Sequence, residues 1–182
     1  MGFVLALGAA LIPAPALAKS PKAPVARDGS HDMDFSFGTW RTDIKIFKNP
    51  IDKPNEFITM TGTKRTTPVW NGKAALEQIE ADGAGSHWEA LNLMLYDPVA
   101  RQWSQNYVDS EVGRMEDAPQ IGEMRDGKLE FNGLEPINGR ATLVRGVWTI
   151  TGPDTHNYRI SRSVDGGRSW HTSFTANLTR IK

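Results

Sequence analysis

The sequence predicts an all-β protein, an antiparallel up-and-down barrel of about ten strands that closes on itself. Three observations predict this fold. Apolar and polar residues alternate with a period of two along a series of short segments after residue 34. Turn-forming pairs such as Asn71-Gly72 and Asp97-Pro98 separate these segments at nearly regular intervals. No long stretch of the chain carries an apolar stripe with the period of a helix.

The predicted strands follow one another without a long linker, and each is bounded by residues that favour turns. Their ranges are 39–47, 57–67, 75–80, 87–96, 102–109, 120–125, 128–132, 140–151, 156–163 and 169–180. Only residues 33–37, before the first strand, are expected to form a helical turn. A barrel of this size encloses either one small ligand or a packed core.

The beginning of the chain predicts export. Residues 2–18 contain no charged side chain and end in Ala16-Leu17-Ala18, the small-residue pattern that signal peptidase recognises. Their apolar core is shorter than the ~20 residues that a membrane-spanning helix needs. We therefore expect a signal peptide over 1–18, a flexible leader over 19–30 and a barrel domain over 31–182. The mature protein would be periplasmic or secreted after cleavage near Ala18, with no stable membrane anchor.

Composition excludes several classes of function. The chain has 21 basic and 21 acidic residues and no block of like charge, so nucleic acid and anionic membrane surfaces are not expected partners. It has no cysteine, which excludes disulfides and a lipid anchor on cysteine. Its six tryptophans exceed the roughly two or three that average composition predicts. Because tryptophan is large and mainly apolar, this excess favours a packed interior or a ligand pocket.

A Gly-x-Trp motif at Gly38 and Trp40 opens the first predicted strand, and Arg180 lies near the end of the last. This pairing resembles the calycin superfamily, which includes lipocalins, fatty-acid-binding proteins and nitrobindins. The resemblance implies a lipocalin-like barrel whose floor is formed by Trp40, with Arg180 covering its ring in a cation–π contact. The period-two pattern agrees, since it places Arg180 on the same strand face as Phe174 and Leu178.

Further segments resemble an uncharacterised family of exported bacterial domains for which the same barrel is expected. They run over nearly the whole mature chain and are DFSFGTW at 34–40, GTKRTTPV at 62–69, LYDP at 95–98, RQWS at 101–104, RGVW at 145–148 and DGGRSW at 165–170. Because that family has no settled activity, this resemblance implies a fold rather than a function.

Residues 163–170, with the sequence SVDGGRSW, fit the Asp-box pattern S-x-D-x-G-x-[ST]-W. This motif stabilises a hairpin, because its Asp and Ser side chains bond to the backbone of the turn and its Trp packs beneath it. In sialidase propellers the motif recurs once per blade, whereas here it occurs once. A propeller or a glycosidase is therefore not expected.

Polar side chains on two adjacent strands are predicted to line the mouth of a pocket. If the apolar odd-numbered residues of 87–96 face inward, His87 and Glu89 face inward too. On the next strand Trp103, Tyr107 and Asp109 share one parity. A buried carboxyl beside aromatic rings has a raised pKa and can act as a general acid or base. The alternative is that these strand ends simply reach solvent.

Arg145 lies in the middle of an apolar strand, three residues before Trp148. Such an arginine can anchor a carboxylate ligand inside a small barrel, or it can face outward and pair across the strand, and the sequence favours neither alternative. The residues predicted to contact a ligand are Glu89, Trp103, Tyr107, Asp109, Arg145, Trp148 and Tyr158.

No cofactor and no metal are expected. A haem site of the nitrobindin type needs an inward histidine and further glycines on the first strand, but Arg41-Thr42-Asp43 follow Trp40, and His171 is predicted to face outward. The histidines lack the spacing of a metal site, and G-x-S-x-G, which marks a hydrolase nucleophile, does not occur.

Two main hypotheses for function remain. The first is a module that binds a small hydrophobic or aromatic molecule, with Trp and Tyr side chains as walls and an arginine at one polar end. The second is a cofactor-independent isomerase, cyclase or lyase in which His87, Glu89, Tyr107 and Asp109 supply the acid–base groups. That enzyme requires two of them within hydrogen-bond reach of one enclosed space. A packed barrel that binds partners through its loops is a third hypothesis, and the oligomeric state is not predicted.

Overall fold

A computed structural model describes residues 27–83, 85–137 and 139–181. The predicted signal peptide, the cleavage site and most of the predicted leader lie outside the described residues. Within them the chain forms a short 3-10 helix, Asp34–Ser36, and ten strands. The strands are β1 Gly38–Phe47, β2 Phe57–Val69, β3 Ala74–Gly83, β4 Ser86–Asp97, β5 Gln102–Asp109, β6 Gln120–Arg125, β7 Lys128–Ile137, β8 Arg140–Gly152, β9 Thr155–Ser163 and β10 His171–Arg180.

Each strand pairs antiparallel with the next strand along the chain, and β10 pairs with β1, so that the sheet closes into a barrel. The predicted all-β, up-and-down barrel is confirmed. The predicted segments agree closely with the strands because the period-two pattern and the turn residues are local signals. The largest difference is β7, which continues past residue 132 to Ile137 and pairs with β8 along that extension. None of the described helices is long and apolar enough to span a membrane.

The floor of the barrel is built on Trp40. This side chain is 1 % exposed, and its indole N–H donates to the carbonyl of Ser36 at 2.8 Å. The Arg180 guanidinium lies 4.0 Å from the centre of the Trp40 ring and donates from Nη1 to the carbonyl of Phe37 at 2.7 Å. Gly38 has a φ of +112°, and a Cβ there would lie 2.7 Å from Arg180 Nη1. The glycine of the motif therefore leaves the space in which the arginine crosses the tryptophan.

Residues 27–30, which the sequence analysis assigns to the flexible leader, pack against this end of the barrel. Trp103 donates from Nε1 to the carbonyl of Gly29 at 2.8 Å, and the backbone N–H of Gly29 donates to the hydroxyl of Tyr96 at 3.2 Å. Arg27 pairs with Asp32, which is 3 % exposed. The packed part of the domain therefore begins before residue 31.

The inward face of β4 is the reverse of the predicted one. Asn92 and Met94 are buried, whereas Leu91 is 40 % exposed. The prediction followed the three leucines of this strand, but they lie on the parity of its outer face. The interior is polar at this height, where Asn92 donates from Nδ2 to Glu77 of β3 at 2.9 Å. The inner face buries Ala90 and Met94, and its Asn92 gives that carboxylate a hydrogen-bond donor.

The β9–β10 hairpin contains the contacts expected of an Asp-box. The Asp165 carboxylate accepts bonds from the backbone N–H groups of Ser169 and Arg168, each at 3.0 Å, and from the Ser169 hydroxyl at 2.7 Å. These bonds, with those from Ser169 contributing most, hold the pKa of Asp165 well below its usual range. Trp170 donates from Nε1 to the carbonyl of Gly167 at 3.1 Å. The motif thus stabilises one turn of this barrel.

Replacement of Arg180 by methionine tests the floor. Arg180→Met removes the cation–π contact and the bond to the Phe37 carbonyl, and it should lower the free energy of unfolding by about 2–4 kcal/mol. Arg159→Met, at an exposed position on the neighbouring strand β9, is the matched control and should change it by less than about 0.5 kcal/mol. Equilibrium unfolding in urea measures both, and equal losses in the two variants would contradict this role for Arg180.

Candidate functional site

A cavity of about 300 Å³ lies inside the barrel, between the floor and the end at which β4 begins and β5 ends. This volume is at the lower end of the ~300–1,000 Å³ range of small-molecule sites. Much of the wall is aliphatic or aromatic, and it includes Ile44, Ile46, Ile79, Ile160, Phe174 and Leu178. The remaining lining contains an unusual number of polar and charged groups for a barrel interior.

Lys64 of β2 and Glu77 of β3 form a buried ion pair in the wall of the cavity. Lys64 Nζ lies 3.0 Å from Glu77 Oε2, and the two side chains are 2 % and 1 % exposed. Lys64 Nζ also donates to the Ser36 hydroxyl at 2.8 Å, and it lies 3.4 Å from His156 Nε2 and 4.2 Å from the centre of the Trp148 ring. Burial lowers the pKa of Lys64, and the Glu77 carboxylate opposes that shift. The ammonium group therefore has three hydrogen-bonding neighbours for its three N–H groups.

A chain of hydrogen bonds leads from Glu77 along the wall. Asn92 Nδ2 donates to Glu77 Oε1 at 2.9 Å, and Gln105 Nε2 donates to Asn92 Oδ1 at 3.2 Å. The Tyr158 hydroxyl donates to Gln105 Oε1 at 3.3 Å. Because an ionised carboxylate can only accept, Glu77 fixes the direction of every bond in the chain. Gly146 of β8 leaves room for its last member, since a Cβ there would lie 2.2 Å from the Tyr158 hydroxyl oxygen.

His156 is a buried base beside the floor. It is 2 % exposed, and its ring centre lies 4.1 Å from that of Trp40 and 5.2 Å from that of Phe35. Burial, followed by the positive charges of Lys64 and Arg180, lowers the pKa of His156 to about 3. The neutral ring can accept from Lys64 when its proton is on Nδ1. In the sequence this histidine is marked only by its position beside the turn residues Gly152-Pro153-Asp154.

The mouth of the cavity carries one arginine and two glutamates. Arg162 of β9 donates from Nε and Nη2 to Glu135 Oε2 at 3.1 and 2.9 Å, and from Nη1 to the Ser173 hydroxyl. Glu116 lies in the exposed loop between β5 and β6, where it lines both the cavity and a groove on the outer surface. Partial removal of its carboxyl from water, and then the negative charge of Glu135, raise the pKa of Glu116 to about 7.

Two buried polar atoms of the lining have no hydrogen-bond partner in the part of the chain that the structure describes. They are Oε1 of Gln120 and Nε1 of Trp148, in side chains that belong to residues 6 % and 2 % exposed. A buried polar group without a partner destabilises a protein by about 1–3 kcal/mol. A molecule in the cavity that supplies these partners would offset that loss.

Three of the seven residues predicted to contact a ligand line the cavity, namely Tyr107, Trp148 and Tyr158. Trp103 is also buried, but it lies in the floor, where it bonds to the chain before β1. Asp109 lies beside the mouth and outside the cavity lining. Its Oδ2 accepts from the Tyr107 hydroxyl at 3.2 Å, and its Oδ1 accepts from the backbone of the following loop at 2.8 Å.

His87 and Glu89 lie on the outer surface, so the inward orientation predicted for them is wrong. The reversed parity of β4 is the reason. Bonding to Asp82, whose Oδ1 lies 2.8 Å from His87 Nδ1, raises the pKa of His87. His87 Nε2 lies 3.8 Å from a carboxylate oxygen of Glu80 and 3.8 Å from one of Glu89. This exposed cluster faces away from the cavity and cannot act on a molecule inside it.

Arg145 also lies on the outer surface, which decides between the two alternatives that the sequence left open. Its neighbours Val144 and Trp148 on the other parity of β8 are buried. The Arg145 guanidinium lies 4.0 Å from the centre of the Trp170 ring, and its Nε lies 3.5 Å from Glu130 Oε1. Arg145 therefore stabilises the outer face of the sheet and does not reach the cavity.

Sequence reasoning missed most of the polar interior. Lys64 shares a parity with the buried Met60, and Glu77 shares a parity with the buried Ala75 and Ala81. The sequence does carry a signal for an internal ion pair, because each of these two successive strands has a single charged residue on its buried face. Glu116 has no comparable signal, because it lies in a loop without periodicity.

No protein-family model and no curated protein sequence matches the chain. The fold is similar to the solved structure of an S-type phycobiliprotein lyase from Guillardia theta, with a TM-score of 0.55 and 11 % identity over 86 % of this chain and 94 % of that chain. A redesigned β-barrel, mFAP1, bound to DFHBI, gives a TM-score of 0.43 and 12 % identity over 85 % of this chain and 100 % of that one.

These comparisons bear on the fold alone. The first likeness supports a β-barrel fold, and the second is too remote to carry an argument. The resemblance to a family of exported bacterial domains stays a prediction. The class that the fold and the site define is a closed β-barrel with a partly polar interior cavity.

The buried ion pair predicts a non-additive response to substitution. Lys64→Met leaves the Glu77 carboxylate buried without its cation and should destabilise the protein by about 3–5 kcal/mol. The double variant Lys64→Met with Glu77→Leu should lose less than the sum of the two single variants, because no lone charge remains. Lys53→Met, which removes the exposed partner of Glu56, is the control. Urea unfolding of Lys64→Met that coincides with that of the unsubstituted protein would contradict a buried, charged pair.

The surroundings of His156 predict a histidine that stays neutral in mild acid. An unfolded histidine binds a proton near pH 6.5, whereas folded His156 has a pKa of about 3, so stability should fall as the pH drops through this interval. An NMR titration of the folded protein should show no protonation of His156 at pH 5, while His87 titrates above the usual value for histidine. His156→Gln should make stability less sensitive to pH over the same interval. A His156 signal that titrates near pH 6.5 would contradict this account.

Proposed function

We propose that the barrel binds a small, mainly apolar or aromatic molecule in its interior cavity. The observation that carries the proposal is the cavity of about 300 Å³, because a barrel that served only as a packed scaffold would fill this space with side chains. The two unpartnered buried atoms, on Gln120 and Trp148, support the same conclusion. The residues that carry them line the space that the proposed ligand would occupy.

The aromatic part of the wall favours a flat ligand. The rings of Trp148 and Tyr158 stack with their centres 4.2 Å apart and their planes 20° apart. The ring of Phe174 stands nearly edge-on to that of Tyr158, with its centre 6.2 Å away. Aromatic surfaces at these angles accept a further ring by offset stacking or by edge-to-face contact.

The proposal includes export of the protein, as the predicted signal peptide implies. The barrel would then meet its ligand in the periplasm or outside the cell, after cleavage near Ala18. A protein without cysteine suits an oxidising compartment as well as a reducing one, so its fold would not depend on the redox state of either.

The catalytic alternative receives less support from the geometry. Of the four residues that it names, only Tyr107 lines the cavity, and Asp109 is engaged by the Tyr107 hydroxyl and by a loop backbone. His87 and Glu89 face away. The requirement that two of these groups reach one enclosed space is therefore not met by their positions.

Native mass spectrometry of protein purified from a periplasmic extract tests the proposal. We expect a mature chain that begins near Lys19 and a fraction that carries an additional small molecule, which is lost on denaturation. Ala176→Phe, at a 6 % exposed position in the cavity lining, should fill part of the cavity and abolish this adduct.

Ala141→Phe is the matched control, because Ala141 is exposed on β8 and does not line the cavity. It should retain the adduct. The proposal fails if the unsubstituted protein carries no exchangeable molecule, or if the adduct survives in Ala176→Phe while that variant remains folded.

A further inference from the structure

We propose that the ligand of this cavity carries a positively charged nitrogen, such as a protonated amine, attached to an aromatic or apolar body. This inference rests on the proposed function and adds to it the charge of the ligand. It follows from two observations. The cations of the cavity already have hydrogen-bond partners, whereas several of its acceptors have none among the described residues.

The cations that line the cavity already have internal partners. Lys64 Nζ has neighbours in Ser36, Glu77 and His156, at 2.8, 3.0 and 3.4 Å. All three nitrogens of Arg162 are also used, two on Glu135 Oε2 and one on the Ser173 hydroxyl. A carboxylate ligand that took the place of a Lys64 neighbour would leave that neighbour unpaired. Arg162 keeps two of its five N–H donors, but its charge is already balanced by Glu135.

The acceptors are not fully engaged. Glu116 has no hydrogen bond or ion pair through its carboxylate in the described parts of the chain, although it lines the cavity. Glu135 accepts from Arg162 through Oε2, and no hydrogen bond to its Oε1 comes from the described residues. Gln120, which also lines the cavity, carries a buried Oε1 that has no partner among the described residues. The cavity thus offers acceptors that a ligand with N–H donors would satisfy.

The net charge at the mouth of the cavity also favours a cationic ligand. Two lining carboxylates, those of Glu116 and Glu135, face one lining guanidinium, that of Arg162, and Asp109 adds negative charge nearby. The excess of negative charge attracts a cation and repels an anion. The only unpartnered buried donor among the described lining residues is the indole N–H of Trp148. A neutral donor of this kind stabilises a bound anion less than a charged donor would.

Aromatic rings are placed where they can add to the attraction. Trp88 and Phe174, whose ring centres are 6.2 Å apart, and Tyr107 all line the cavity close to the strand ends that form its mouth. The faces of such rings attract cations by about 0.5–2 kcal/mol in general. A protonated nitrogen near Glu116 would therefore meet a carboxylate and aromatic surface together.

Matched probes that differ only in charge test the inference. Tryptamine, tryptophol and indole-3-propionate share an indole and carry an amine, a hydroxyl and a carboxylate, and the corresponding naphthalene and phenyl series repeat the comparison. Isothermal titration calorimetry at pH 8 should show that each amine binds about tenfold more tightly than the carboxylate with the same ring.

Substitution of Glu116 should remove that preference. Glu116→Gln should weaken the binding of tryptamine about five- to tenfold and leave tryptophol nearly unchanged. The control is Glu111→Gln, which removes the same charge from the same loop at an exposed position outside the cavity lining. It should behave as the unsubstituted protein.

The pH dependence is a second readout. Since the pKa of Glu116 is about 7, tryptamine should bind several-fold more tightly at pH 8 than at pH 6, and Glu116→Gln should lose this dependence. The charged and titratable groups around Glu116 come from three strands and from its own loop. They are Tyr107 and Asp109 of β5, Glu135 of β7, Arg162 of β9, and Arg114 and Asp117 of the loop.

The outcomes separate the two proposals. Carboxylates that bind as tightly as the amines, or an amine preference that persists in Glu116→Gln, would overturn the charge inference and leave the binding function intact. No binding by any probe of the three series at millimolar concentration would overturn both. An amine preference that is lost in Glu116→Gln and kept in Glu111→Gln would support both.

Discussion

The ion pair between Lys64 and Glu77 is the constraint on which the interior of this barrel depends. Two charges that are almost fully removed from water are tolerated only when the surrounding groups complete their hydrogen bonds. Ser36 of the floor and the neutral His156 do so for the lysine, and Asn92 does so for the glutamate. The pair thereby links the floor, four strands and the wall of the cavity in one polar network.

This network explains both the floor and the cavity. The 3-10 helix brings Ser36 under Lys64, and the carbonyl groups of its neighbours receive Arg180, so that one short segment serves two cations. Toward the mouth, the chain of amides from Asn92 to Gln105 ends at the Tyr158 hydroxyl. Polar side chains that bond to one another along the wall, instead of filling the centre, leave the central space open. The buried charges are thus satisfied without closing the cavity.

The strands could be predicted because their signals, alternation and turn residues, are local. The contact of Trp40 with Arg180 joins distant parts of the chain and was expected only from the resemblance that the Gly-x-Trp motif and Arg180 carry. The orientation of β4 was not predictable in this way. Its three leucines share one face, but Trp88, Ala90 and Met94 share the other with Asn92. Asn92 donates to Glu77, a residue on another strand. Which face of a strand points inward depended here on a partner that single-strand periodicity does not reveal.

The indole N–H of Trp148 offers the most direct measurement of whether the cavity is a binding site. It is a buried donor of the cavity lining, without a partner among the described residues, whereas the indole of Trp70 belongs to a residue that is 71 % exposed. In ¹H–¹⁵N spectra of ligand-free protein titrated with tryptamine, the Trp148 indole signal should shift and saturate, while that of Trp70 stays in place. A Trp148 signal that does not move at saturating probe, with shifts confined to exposed residues, would contradict the account.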